Sequence, residues 1–144
     1  MTDEEPAKPL LPVTYRCGQL QNTRWGRWAP VVVWMGVIFA VSSIGTLPTV
    51  DRGLIDRLMH WVGHLSEYGI LAVLLLRALG HGQAITRRAI VVTLIVAALY
   101  GLSDEWHQSF VKGRSADAWT VGLDLIGALI GCAVCLTRES VSGQ

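Results

Sequence analysis

Apolar residues in this chain gather into long runs rather than alternating along it, and four runs stand out. They cover residues 28–44, 65–79, 89–102 and 118–136, with centres such as Val31-Val32-Val33-Trp34-Met35 and Ile70-Leu71-Ala72-Val73-Leu74-Leu75-Leu76. A helix that spans a bilayer needs roughly 20 residues, within a range of about 17 to 25. The second and third runs reach that length only if their polar ends, residues 64–67 and 103–107, are part of the helices. The pattern therefore predicts an all-α fold, a polytopic membrane protein built as a four-transmembrane-helix bundle. It also sets charged groups just inside one face of the membrane.

The segments between the runs read as connectors. Thr46-Leu47-Pro48 ends the first helix, because proline disfavours helix in the residue before it. Residues 56–61 read as a short amphipathic helix at the outer surface, leading into the second span. Pro6, Pro9 and Pro12 mark residues 1–27 as a flexible cytoplasmic tail; residues 28–137 form the transmembrane domain and 138–144 a short cytoplasmic C-terminal tail. Ala40-Val41-Ser42 resembles a signal-peptide cleavage site. The long region before it holds Asp3, Glu4 and Glu5, however, and further apolar runs follow, so the first run reads as a retained helix.

Composition and charge agree with a membrane protein and set its orientation. Only 16% of the residues are charged, against about 25% in soluble domains. A net charge of +1 gives no reason to expect a nucleic-acid partner; membrane lipid is the expected one. Lys8, Arg16, Arg24, Arg27, Arg77, Arg87, Arg88 and Arg138 flank the two termini and the second loop, and outnumber Arg52, Arg57, Lys112 and Arg114 in the first and third loops. By the positive-inside rule both termini and the second loop are cytoplasmic. Trp25, Trp28, Trp61, Trp106 and Trp119 fall near the expected interfaces, while Trp34 sits well inside a span. The 3 cysteines are too few for a disulfide scaffold, and the Cys132-Ala133-Val134-Cys135 pair in an apolar helix reads as packing.

On this topology the ionisable residues converge on the outer side. His64, Glu67 and Tyr68 begin the second helix at spacings that share one face. Asp104, Glu105, His107 and Gln108 end the third; Asp104, His107 and Gln108 share a face and Glu105 points elsewhere. Lys112, Gly113 and Arg114 form the connecting turn, and Asp117, Thr120 and Asp124 enter the fourth helix on one face. Such groups at membrane depth cost several kcal/mol each, about 2.5 to 3.5 on insertion scales, unless they pair or face a polar cavity.

Several chemistries fit this cluster. His64, Glu67, His107 and Asp104 are the ligand types that zinc or another divalent ion takes, although no HExxH or paired CxxC pattern supports a metal site. Carboxylates beside an imidazole also suit acid–base chemistry near neutral pH. Arg114 suits a bidentate contact to phosphate or carboxylate. A structural ion-pair network, Arg114 with Asp117, Asp124 or Glu105, fits equally. The sequence implies no particular cofactor. Gly127 and Gly131, with Gly122 nearby, form a small-residue stripe for close helix packing, within the bundle or in an oligomer.

These residues also carry a family pattern. Phe39-Ala40-Val41-Ser42-Ser43 followed by Pro48, His64-Leu65-Ser66-Glu67-Tyr68-Gly69, the stretch from Tyr100 through Asp104-Glu105-Trp106-His107-Gln108-Ser109-Phe110 to Arg114, and Asp124 followed by Gly127 and Gly131 occur in order. Over residues 28–136 the chain resembles the VanZ-like family of small bacterial membrane proteins, named for a member associated with low-level resistance to the glycopeptide teicoplanin. Thr120 stands where many relatives carry an acid, and His60-Trp61 replaces a basic residue before the family histidine; Asp117 and Asp124 then take the acidic role.

The resemblance implies a multi-pass protein of the bacterial cytoplasmic (inner) membrane that acts in the cell envelope. It points to Asp104, Glu105, Gln108 and Arg114 as site residues. The expected function is binding or modifying an anionic amphiphile at the outer leaflet, linked to glycopeptide resistance. The alternatives are a membrane enzyme acting on a lipid-linked envelope precursor, with His64 or His107 as base, and a transporter or assembly factor that packs through the Gly127/Gly131 stripe.

The orientation has a direct check. In a variant with Cys17, Cys132 and Cys135 replaced by alanine, Gly113→Cys should react with a membrane-impermeant thiol reagent from outside the cell, and Gly82→Cys should not. Labelling at 82 alone would invert the topology.

Overall fold

The computed structural model describes residues 24–44, 53–80, 84–111 and 118–142. They form helices α1 (Arg24–Ser42), α2 (Leu54–Gly80), α3 (Arg87–Gln108) and α4 (Ala118–Ser142). No strand occurs among the described residues. All four helices are long and apolar enough to cross a membrane, so the expected bundle of four spanning helices is the fold.

The helix ends explain how the two short apolar runs reach spanning length. Helix α2 takes in His64 and Glu67, and α3 continues through Ser103, Asp104 and His107 to Gln108. Residues 56–61 do not form a separate surface helix; they are the first turns of α2. No proline or glycine interrupts the chain between Leu54 and Val62, and Gly53, with a φ of 60°, makes the turn immediately before the helix. Helix α1 starts at Arg24, inside the stretch assigned to the tail, and α4 runs on to Ser142.

Helix α2 is central. It packs most extensively against α4 and also touches α1 and α3, whereas α1 meets α3 only lightly. Small residues set the close approach of α2 to α4. A Cβ on Gly127 would meet the backbone carbonyl of Leu65, and one on Gly131 that of Gly69. The glycine stripe is thus occupied by α2 of the same chain. In lipid the tails are as apolar as leucine, so such backbone-level packing is what holds helices together.

Below that contact Leu71, Ala72, Leu75, Ala97, Ala128 and Cys132 fill the core, with Val31 and Ile38 of α1 against them. Val33, Leu99, Leu129 and Ile130 are exposed on the outside, where a bilayer would solvate them. Trp34, which stood alone inside a span, donates its indole N–H to the carbonyl of Glu67 at 2.9 Å and so ties α1 to α2. At the opposite end of the bundle Thr86 caps α3, accepting from the Ala89 N–H at 3.2 Å, and Glu139 of α4 accepts from the Ile85 N–H at 2.9 Å. Cys132 is buried and Cys135 half-buried, both as free thiols.

Gly131→Val should therefore destabilise the bundle by about 1 to 3 kcal/mol or more through overpacking. Gly122→Ala, whose new Cβ meets nothing within 4 Å, should be neutral or stabilising by about 0.5 to 1 kcal/mol. Thermal unfolding in detergent distinguishes them; equal melting temperatures would contradict the close α2–α4 contact.

Candidate functional site

The end of α1, the start of α2, the end of α3 and the start of α4 meet at one end of the bundle, and a triad and a pair of polar groups lie there. Asp104 accepts at Oδ2 from the Ser42 hydroxyl at 2.6 Å and from the Gln108 amide at 2.8 Å. Gln108 Nε2 also donates to Ser42 Oγ at 2.8 Å, closing a three-membered ring of hydrogen bonds between α1 and α3. The i to i+4 spacing of Asp104 and Gln108 is what places them side by side. All three side chains are buried.

On the other side of α2, His64 Nδ1 lies 2.8 Å from Asp124 Oδ1, with both residues buried. Gly101 makes room for that pair: a Cβ there would stand 2.8 Å from Asp124 Oδ2. A glycine on α3 is thus what lets an α4 carboxylate reach the α2 imidazole. With Nδ1 taken by the carboxylate, the imidazole is fixed in orientation, an arrangement that suits proton transfer through its other nitrogen.

Two clefts flank the end of α1. The larger, about 330 Å³, lies between α1 and α3 and is lined by Phe39, Tyr100, Asp104, Trp106, His107 and Phe110. His107 stacks on Phe39 with ring centroids 4.3 Å apart, and its Nε2 lies 3.1 Å from Ser43 Oγ. Tyr100 donates its hydroxyl to the Met35 carbonyl, which pins the floor of this cleft to α1. The smaller cleft, about 180 Å³, lies between α1 and α2 and is lined by Ser42, Met59, His60, Gly63, His64 and Glu67.

The residues expected from the sequence are thus divided between two subsites. Asp104 and Gln108 face α1, whereas His64 and Asp124 pair across α2 and α4. Glu67 is half-buried beside His64, and Thr120 is buried one turn before Asp124. Glu105, expected to point elsewhere than Asp104, is buried as well. Tyr68 lies wholly inside the core, and its hydroxyl has no hydrogen-bond partner among the described residues. His107 also faces α1, as the shared spacing predicts, and meets Phe39 and Ser43 beside the Asp104 ring.

That division separates the four residues considered as metal ligands. Among the described residues no group of three or more histidine, cysteine, aspartate or glutamate side chains is placed to hold an ion. Lys112, Gly113, Arg114 and Asp117 lie outside the described residues. Ser42 and Ser43 were not among the expected site residues, nor were the aromatic walls. The signal for the serines was present: two hydroxyls end a helix that is otherwise apolar from Val31 to Val41 apart from Gly36.

This arrangement defines a class, a polytopic α-helical membrane protein with an ionisable site at one end of its bundle. The family model described as VanZ/LLP1 matches residues 27–139, and the chain belongs to that family. No curated protein and no solved structure matches it.

The Gly101–Asp124 contact predicts a coupled effect. Gly101→Ala should lower stability by about 1 to 3 kcal/mol by displacing the Asp124 carboxylate from His64. In an Asp124→Ala background the same substitution should cost little, because the obstructing oxygen is gone. A double-mutant cycle by thermal unfolding reads this; additive effects would place Asp124 away from Gly101.

Proposed function

We propose that this VanZ/LLP1 protein binds or modifies an anionic amphiphile at the outer leaflet of the bacterial cytoplasmic membrane, with both termini on the cytoplasmic side. One observation carries the reading: the buried Ser42–Asp104–Gln108 ring borders a cleft whose rim, Phe39, Trp106 and Phe110, is exposed on the apolar flank of the bundle. An amphiphile enters such a site from the bilayer, with its chain against the aromatic rim and its head at the polar ring. Lys112 and Arg114 follow α3 directly in the sequence and supply the cations for an anionic group. The resistance to teicoplanin, a lipid-bearing glycopeptide, associated with the family's namesake fits a ligand of this kind.

The His64–Asp124 pair favours a second reading, a membrane enzyme acting on a lipid-linked envelope precursor. An imidazole oriented by a buried carboxylate and bordering the smaller cleft is arranged as a general base. Assembly through the Gly127/Gly131 stripe has less support, since α2 already covers those glycines.

Arg114→Ala should abolish the protein's effect on glycopeptide susceptibility while its abundance in the membrane stays at the wild-type level. Growth inhibition and quantitative immunoblotting of the same cells check this. A parallel fall in abundance would make Arg114 structural and overturn the reading.

A further inference from the structure

The larger cleft has a composition that an anionic group alone does not use. Its walls are the aromatic rings of Phe39, Tyr100, Trp106 and Phe110, and its carboxylate is Asp104. Trp106 and Phe110 meet edge to face at 5.4 Å and are 70% and 72% exposed, so much of their ring surface is open to an incoming group. Asp104 is only 4% exposed. Its Oδ2 accepts two hydrogen bonds, while its Oδ1 is buried with no partner among the described residues. A buried acceptor left without a donor is destabilising, and more so when charged.

No cation described at this end of the bundle offsets that charge. Arg57, exposed near the start of α2, is the sole lysine or arginine there among the described residues; His64 is committed to Asp124, and His107, in the wall of the cleft, to the Phe39 ring and Ser43. A carboxylate ringed by aromatic faces is the chemistry that recognises an organic ammonium group. The negative faces of the rings attract the cation and the carboxylate neutralises it, both without full hydration.

We propose that the cleft between α1 and α3 is an ammonium-binding subsite, with Asp104 as counter-ion and Phe39, Trp106 and Phe110 around the cation. The proposal rests on the reading of the chain as an amphiphile-binding protein and narrows its ligand. The head group carries a primary ammonium, as in an aminophospholipid, and that ammonium meets Asp104.

The test uses the full chain in maltoside micelles, titrated with dodecylphosphoethanolamine, dodecylammonium, dodecylphosphate and free ethanolamine, with binding read by native mass spectrometry. The wild-type protein should bind dodecylphosphoethanolamine and dodecylammonium more tightly than dodecylphosphate. Asp104→Asn should weaken both ammonium-bearing dodecyl probes by about tenfold, roughly 1.4 kcal/mol, and leave dodecylphosphate unchanged. Trp106→Leu, at an exposed position whose loss spares the core, should show the same selective weakening even if Asp104→Asn fails to fold. Equal affinity for dodecylphosphate and dodecylphosphoethanolamine in wild type and both variants would overturn the ammonium subsite and leave the amphiphile reading standing. Ethanolamine binding as tightly as the dodecyl probes would overturn the amphiphile reading instead. Binding of none would overturn both.

Discussion

Helix α4 sets Gly127 against the backbone of Leu65 and Gly131 against that of Gly69, a separation that admits no side chain between them. The polar end of the bundle depends on this approach. It brings α4 near enough for Asp124 to meet His64 at 2.8 Å, a contact that Gly101 on α3 keeps clear. Glycine is the worst of the ordinary helix formers, costing about 1 kcal/mol per residue against alanine. In a membrane that cost is offset by close van der Waals contact, which substitutes for the hydrophobic driving force available in water.

Helix α1 is held by different physics. It touches α3 only lightly, and the connections between them are mostly polar: Ser42 to Asp104 and Gln108, Ser43 to His107, and Tyr100 to the Met35 carbonyl. Phe39 on His107 adds a stacked pair. Where apolar packing is thin a cleft of about 330 Å³ remains. The hydrogen bonds that join α1 to the bundle are therefore the same groups that line the site. A ligand that paired with the free oxygen of Asp104 would act on the ring that fastens α1.

The bundle was legible in the sequence because runs of apolar residues of spanning length have few other solutions, and because residues 64–67 and 103–107 had to be helical for two runs to suffice. The segregation of His64, Asp104, Gln108 and Asp124 to one end followed from helix period and topology. What the pattern could not supply was rotation of each helix about its axis. Glu105 was expected to point away from Asp104, yet it is buried as well, and His64 and Asp124 pair with each other on α2 and α4 while Asp104 turns to α1. Rotation is decided by neighbours on other helices, such as the cleared space at Gly101, and hydropathy carries no record of it. The surface helix expected at residues 56–61 differed for a simpler reason: amphipathic character marks where a helix lies relative to the interface, and a continuous helix can cross that boundary without a break.

The account rests on an amphiphile reaching the polar ring through the cleft between α1 and α3. Photo-crosslinking tests this most directly, using an aminophospholipid with a diazirine close to its head group, reconstituted with the full chain in bilayers and mapped by peptide sequencing. The account predicts adducts concentrated on Phe39, Trp106 and Phe110 that a molar excess of unlabelled aminophospholipid removes. Adducts spread evenly over outward apolar residues such as Leu129 and Ile130, and insensitive to competitor, would contradict it.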